Sequence, residues 1–383
     1  MKRILPWRLM CWPPLLWLLC WQPAAAQGPA DSTLKRLRLV NLVVGIYDRG
    51  HISTAGFGGI VAVSDVVPDG NTPYEIASIT KTFTAYLLAR AVIDGKLRLS
   101  DPVTSYLHGS FPGLAGVTLL QLANHTAGLP KFLPPLDRSA LRTPADAASY
   151  PVITPAAFLA ALRQFHPDTL PGTRYEYSNA GIQLLGLVLE KVYHRTYAQL
   201  LKKYITEPLH MHHTGLDVPD SVAGAGQYDE NERPMPYMHF WDELPAAGSI
   251  KSTAADMALY LRLCLDKLDP AVRLCETVTF RQTGEHGADI GLCWYVRHSA
   301  TGELEVLHGG GSLGSTSMCL LLPERGIGVV CLAGNAGPGI EDALLQLAER
   351  KALALIPGGR PLTPGAGPLT PTAGSSPGSP GRP

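Results

Sequence analysis

Ser78-Ile79-Thr80-Lys81 sets a hydroxyl and an amine one helical turn apart, at the start of a long apolar run. Side chains at i and i+3 share a helix face, so the two can meet. A hydroxyl becomes a nucleophile when a neighbouring base takes its proton, and a desolvated lysine can be that base. The first turn of a helix also offers unpaired N–H groups, which favour negative charge developing on an attacked carbonyl. Ser32-Thr33-Leu34-Lys35 repeats the spacing without a buried helix behind it and is read as accidental.

Tyr177-Ser178-Asn179 is the second candidate. In an extended or turn segment alternate side chains point the same way, so Tyr177 and Asn179 can enter one cleft. A phenol near a cationic lysine has its ionised form stabilised and can relay protons. A primary amide can both donate to and accept from a substrate amide. An ordinary tyrosine packed before a helix fits the same residues. The third candidate is His308-Gly309-Gly310-Gly311, directly after a predicted strand. Its glycines let a substrate backbone lie along the strand edge, and His308 places a proton donor or electrostatic anchor beside them. His213-Thr214-Gly215 competes, but it lies in a helix-end turn with no strand to build on.

The glycine run imitates other motifs. Gly310-Gly311-Ser312-Leu313-Gly314 fits G-x-S-x-G and His308 to Gly311 fits an HGGG loop, yet here the two overlap and lead into a strand. The G-x-G-x-x-G match from Gly309 to Gly314 is followed by no phosphate-binding helix. His210-Met211-His212-His213 looks like a metal cluster but has no carboxylate at ligand spacing, so no metal is assigned.

These residues need positioning. Strands are predicted at Val40 to Tyr47 and Ile52 to Val63, around the turn Asp48-Arg49-Gly50. The run Phe83 to Ile93 is apolar almost all round, so its helix is central, and Gly95 ends it. Helical patterns follow at Val117 to Ala123, Pro155 to Phe165, Gly181 to Tyr193 and Tyr197 to Ile205. Another helix begins after Ser252-Thr253, with Asp256 placed to close a capping box. Strands return at Gly291 to Arg297, Glu303 to Leu307, Thr316 to Leu322 and Gly326 to Leu332. The last two are joined by a hairpin turn at Pro323-Glu324-Arg325, across which Cys319 and Cys331 are expected to face each other. Ile340 to Leu355 forms a terminal amphipathic helix. Strands at both ends with helices between them imply a mixed α/β fold: an antiparallel sheet flanked by N- and C-terminal helices, plus an all-α subdomain. The sheet portion is expected at about 29–77 and 246–356, the helical one at about 78–245.

The chain has 383 residues, with 32 Lys+Arg against 32 Asp+Glu. Without a basic field, sequence-independent nucleic-acid binding is not expected. Residues 1–26 read as a cleaved signal peptide: Lys2, Arg3 and Arg8, the apolar run Leu9 to Trp21, then Ala24-Ala25-Ala26. Thirteen apolar residues are too few to span a bilayer, so no integral membrane segment is expected after cleavage. The protein is therefore expected in the periplasm or secreted. The five cysteines beyond the signal are no disulfide framework in a folded unit of about 27–356. From Pro357 to Pro383 the chain holds 8 Pro, 7 Gly and 6 Ser/Thr in 27 residues, the composition of a disordered tail.

Taken in order, the motifs at Ser78, Tyr177 and His308 resemble those of the serine β-lactamase and penicillin-binding D,D-peptidase family, in its class C β-lactamase-like branch. Glu75 to Thr84, Gly95-Lys96-Leu97 with Asp101-Pro102-Val103, and His125-Thr126-Ala127-Gly128-Leu129-Pro130 look like family segments. So do Glu207-Pro208-Leu209 with Met211, Ser252 to Asp256, and Leu322 to Val329. The resemblance spans about residues 40 to 356.

It implies an acyl-enzyme route. Ser78 would attack an amide, lactam or ester carbonyl, with Lys81 and Tyr177 handling its proton. The N–H groups of Ser78 and Gly311 would form the oxyanion hole, Asn179 would hold the acyl amide, and His308 and Gly310 would lie beside the leaving group or its carboxylate. No metal or organic cofactor is implied, and the substrate is a small molecule or peptide: a peptidoglycan stem peptide or a β-lactam. Where β-lactamases of this branch carry Lys-Thr-Gly, this chain has His308-Gly309-Gly310, a pattern more familiar in D-amino-acid peptidases. The leading expectation is thus a D-Ala-D-Ala carboxypeptidase or endopeptidase. A β-lactamase, a carboxylesterase and a catalytically silent cell-wall scaffold are the alternatives. His308 is further expected to help lower the pKa of Lys81, and its own titration to weaken carboxylate binding as pH rises.

Overall fold

Val43, Val44 and their neighbours in Asn41–Asp48 (β1) turn through Arg49 and Gly50 into His51–Gly58 (β2), in full antiparallel register. The computed structural model describes residues 39–59, 66–134, 143, 145, 151–217, 226–238, 242–282 and 287–357. The expected signal peptide, the tail beyond Pro357, the end of the expected strand Ile52 to Val63 (residues 60–63) and all but Leu39 of the N-terminal helix expected at about Ser32 to Leu39 lie outside the described residues.

After β2 the chain enters a two-stranded ribbon, Pro73–Glu75 (β3) with Lys251–Thr253 (β4). Between these strands lies the helical insert. It comprises Thr80–Ile93 (α1), Leu119–Ala123 (α2), Pro155–Gln164 (α3), Asn179–Tyr193 (α4) and Tyr197–Leu201 (α5). The insert's ends are fixed by ordinary caps: Thr118, Thr154, Ser178 and Thr196 each accept a hydrogen bond from the third residue onward. The chain then returns through Ala254–Cys264 (α6) and Pro270–Glu276 (α7) to Asp289–Ile290 (β5), Tyr295–His298 (β6), Leu304–Gly311 (β7), Thr316–Leu322 (β8) and Ile327–Ala333 (β9). Ile340–Leu353 (α8) closes the described fold.

The seven-stranded sheet runs β2-β1-β9-β8-β7-β6-β5, every pairing antiparallel. Alternation along its strands divides the core. Val43, Val306, Cys319, Leu321, Val330 and Leu332 join the helical side, where α6 packs on β1 and β9. Leu42, Val44, Leu307, Leu320, Val329 and Cys331 pack instead beneath α8. Each apolar side chain buried there contributes roughly 1.5–3 kcal/mol relative to exposure. The terminal helix thus flanks the sheet as expected, while α6 covers the opposite face.

Two local expectations are corrected. The β8–β9 register pairs Met318 with Cys331 and Cys319 with Val330, so the two cysteines point to opposite faces and both are free thiols. Asp256 completes no capping box. Its backbone N–H donates to Thr253, but its carboxylate is taken by the His213 N–H (2.7 Å) and the Thr214 hydroxyl (2.8 Å).

Candidate active site

Ser78 lies in a short 3-10 turn, Ala77–Ile79, that leads directly into α1. The turn is forced: Ala77 sits at φ 44°, a left-handed conformation that costs a residue with a Cβ on the order of 1 kcal/mol or more. The Ile76 carbonyl is held by the Ile79 N–H (3.1 Å) and the Ser317 hydroxyl of β8 (2.8 Å). The sheet therefore grips the turn that presents Ser78, whose side chain remains half-buried rather than sealed.

Lys81, one turn on, has no exposed surface. Its Nζ donates to Ser78 Oγ (3.0 Å) and to the Ala247 carbonyl (2.6 Å), and lies 4.9 Å from the centre of the Tyr177 ring. Burial, with a smaller push from the Lys131 charge, brings its pKa down to about 7 against an opposing pull from Cys293. A lysine so placed is half neutral near pH 7, and a neutral amine can donate to Ala247 while accepting the serine proton. His308, one possible contributor to this shift, is itself neutral beside Lys81 and so brings no charge of its own to it near neutral pH.

Tyr177 precedes α4, and Asn179 is that helix's first residue rather than part of an extended run. Ser178 is the cap between them: its Oγ accepts from the Gly181 N–H (2.8 Å) and donates to the Pro130 carbonyl (2.9 Å). Burial raises the Tyr177 pKa well above the ordinary phenol value, reinforced by Tyr295 and opposed by the Ser78 hydroxyl. The expectation of an ionised phenol stabilised by Lys81 is therefore overturned. Tyr177 is a neutral O–H, a donor that can pass a proton on.

The strand β7 runs through His308 to Gly311, so the third motif belongs to the strand itself. His308 is 2% exposed, pairs with Cys319 on β8, and its ring lies 5.4 Å from that of Tyr295. Nδ1 is 2.6 Å from the Gly309 carbonyl, which it meets as the N–H tautomer, while Nε2 has no hydrogen-bond partner among the described residues. Burial and the Lys81 charge hold its pKa down to about 3, so the ring is neutral throughout the physiological range. The expected loss of a histidine cation near neutral pH does not occur. Gly310 lies against the Ser78 turn, whereas an added Cβ at Gly311 would meet open space.

The structure thus brings Ser78, Lys81 and Tyr177 into one cluster, with β7 along one side. Asn179 begins the helix just beyond it. The rival His213 is committed elsewhere, its backbone bound to Asp256. His210 and His212 have ring centres 6.1 Å apart, and among the described residues no group of three or more His, Cys, Asp or Glu could hold a metal.

The family model for β-lactamase matches residues 30–354. The chain belongs to the β-lactamase family. Its chemistry class is that of a serine hydrolase of the β-lactamase type, and its relatives are consistent with the serine β-lactamase and penicillin-binding branch. It is 29% identical to a β-lactamase of Providencia stuartii over 70% of this chain and 67% of that one. Another matched β-lactamase, from Yersinia enterocolitica, is spanned over only 47% of its length. Among solved structures, the octameric penicillin-binding protein homologue from Pyrococcus abyssi matches with a TM-score of 0.69 at 26% identity, covering 83% of this chain and 75% of that one. The class C β-lactamase from Rhodobacter sphaeroides matches with a TM-score of 0.70 at 24% identity over 84% and 96%, which establishes the shared β-lactamase/transpeptidase fold.

In this β-lactamase-family site the sequence motifs leave several contributors unmarked. Tyr175 and Tyr295 share a hydrogen bond between their hydroxyls (2.8 Å) and frame Tyr177 and His308. Cys293, at φ 59° and buried, opposes the downward shift of Lys81. His125 stacks on Tyr177 with ring centres 4.7 Å apart. Only His125 carried a signal, as part of the His125 to Pro130 segment.

Proposed function

We propose that this chain is an exported serine hydrolase that acts through an acyl-enzyme on D-amino-acid-containing peptides, with penicillins as slowly released acylating ligands. Ser78 attacks the carbonyl carbon while its proton passes to neutral Lys81. Tyr177, a neutral phenol, hands a proton to the departing amine and is resupplied from Lys81. The N–H groups of Ser78 and Gly311 receive the oxyanion, and Asn179 orients the acyl amide. Water then attacks the ester and returns Ser78. The periplasm is the compartment proposed, on the strength of the signal-like N-terminus.

The observation that carries the peptidase reading is the neutral, enclosed His308 followed by Gly309 and Gly310, where a β-lactamase of this branch would present a lysine. A fixed cation at that point would hold a carboxylate, of a lactam or a peptide alike, and the imidazole lacks that charge; an extended peptide can still be held by backbone hydrogen bonds along the β7 edge, which a lactam has too little backbone to use. The test combines intact mass over time after mixing with a penicillin and turnover of a D-Ala-D-Ala peptide beside nitrocefin. An adduct on Ser78 that persists for minutes, with peptide turnover ahead of nitrocefin, is expected. Rapid nitrocefin turnover would make β-lactamase the better name.

A further inference from the structure

His125 and Tyr177 are separated by a helix boundary and a long connection in sequence, yet they are in direct contact. The His125 carbonyl accepts the Glu176 N–H at 2.7 Å, and its ring Nδ1 accepts the Ser178 N–H at 3.2 Å. Those two N–H groups belong to the residues on either side of Tyr177. The imidazole itself lies on the phenol ring, 4.7 Å between centres and tilted by 35°. Tyr175 meets the same imidazole edge-on at 5.9 Å. A single residue thus holds the tyrosine's backbone from both sides and its ring from one face.

The arrangement depends on a specific backbone state. His125 has φ 60°, in the left-handed region, and is 2% exposed. In that conformation its carbonyl and its side chain address the same segment. Histidine and asparagine tolerate left-handed geometry better than most residues with a Cβ. Burial and the Lys81 charge keep the ring neutral, so Nδ1 stays available as an acceptor and the single proton sits on Nε2. The Thr126 carbonyl adds a third strap, accepting the Gly172 N–H at 2.7 Å.

We infer that His125 is a positioning residue that fixes the Tyr177 hydroxyl over Ser78 and Lys81, through the Nδ1 acceptor and the left-handed backbone. The inference rests on the reading of Ser78 as nucleophile and Tyr177 as proton carrier. A misplacement of about 1 Å at such a hydroxyl costs on the order of 100-fold in rate.

The test measures the rate of Ser78 acylation by a penicillin, and in parallel by p-nitrophenyl acetate. The ester reports the nucleophile whether or not the natural substrate is a D-peptide, so a wrong substrate class and a wrong role for His125 remain distinguishable. His125→Gly keeps the backbone freedom and loses the acceptor; it is expected to acylate roughly 10- to 100-fold more slowly with the penicillin, whose departing amine needs the Tyr177 proton, and to lose far less with the ester, whose p-nitrophenolate leaves without one. His125→Asn keeps left-handed tolerance and an acceptor at nearly the Nδ1 position, and is expected to recover most of that loss. In a Tyr177→Phe background His125→Gly should add less than about a twofold further loss, because the hydroxyl it positions is gone. Equal penicillin acylation rates for His125→Gly and the unmodified protein would overturn the inference. So would asparagine behaving like glycine, or a full additive loss on top of Tyr177→Phe.

Discussion

Gly310 lies against the backbone of Ser78: a Cβ built on Gly310 would fall 3.0 Å from the Ser78 nitrogen and 2.5 Å from the Ile76 carbonyl oxygen. The same Cβ would fall 2.5 Å from the Ser317 hydroxyl, which itself holds the Ile76 carbonyl. The absent side chain at 310 is what lets the sheet reach the turn that presents the serine.

The three glycines should therefore differ in tolerance. Gly310→Ala must push the Ser78 turn away from β7, and acylation should fall on the order of 100-fold. Gly311→Ala meets open space and keeps its N–H, so it should stay within a few-fold of the unmodified rate. Gly309→Ala meets the end of the Glu341 side chain, which can move aside, and should be intermediate. Stopped-flow acylation of the three variants checks the ranking, and a Gly311→Ala rate as low as that of Gly310→Ala would contradict it.

Lys81 supplies a second prediction. With its pKa brought down to about 7 by burial, the neutral base grows as pH rises. Acylation should climb tenfold per unit below about pH 6 and level off above about pH 8. Tyr177 stays protonated well beyond that range, so no descending limb should appear before about pH 9. Lys81→Ala and Lys81→Arg should both lose acylation, since arginine cannot deprotonate. A pH–rate profile of the unmodified protein that falls between pH 7 and 9, or an active arginine variant, would remove Lys81 as the base.

What the sequence could reveal follows from how local each signal is. Ser78 and Lys81 meet because a helix places i and i+3 together, a rule that needs no tertiary knowledge. The strands Thr316 to Leu322 and Gly326 to Leu332 were legible from β-branched and aliphatic runs around a turn. Their register was not: one residue's shift carries Cys331 to the α8 side while Cys319 stays on the helical side. Protonation was least legible of all. The neutrality of Tyr177 and His308 is set by burial that only the assembled fold creates. Likewise the contact of His125 with Tyr177 joins two segments that no pattern of spacing connects.

His308 gives a third prediction, about carboxylate recognition. Its pKa lies down at about 3, so its charge does not change between pH 5 and 8. Any pH dependence of inhibition by a carboxylate product in that range should belong to Lys81, whose cation disappears as pH rises through about 7. His308→Gln should thus keep the slope of the inhibition constant against pH, whatever happens to its absolute value. Competition titrations at several pH values decide this, and a slope lost in His308→Gln would show that the imidazole does titrate there.

The last prediction concerns stability. Burial lowers the Lys81 pKa from the ordinary lysine value of 10.5 to about 7 in the folded chain, so between those values the unfolded chain binds the extra proton. Stability must then rise with pH across that window, and the cost of enclosing the cation is fully present only below about pH 7. At about 1.4 kcal/mol per pKa unit, that cost is on the order of 4–5 kcal/mol. Lys81→Met removes it but leaves the Ala247 carbonyl without its donor, a loss of roughly 1–3 kcal/mol. The variant should therefore melt a few degrees above the unmodified protein at pH 6. The advantage should shrink steadily and vanish or reverse by about pH 10. Differential scanning calorimetry of the pair at matched scan rates reads this directly. A difference in melting temperature that does not change with pH would mean that Lys81 keeps its ordinary pKa in the fold, and the neutral-base reading would go with it.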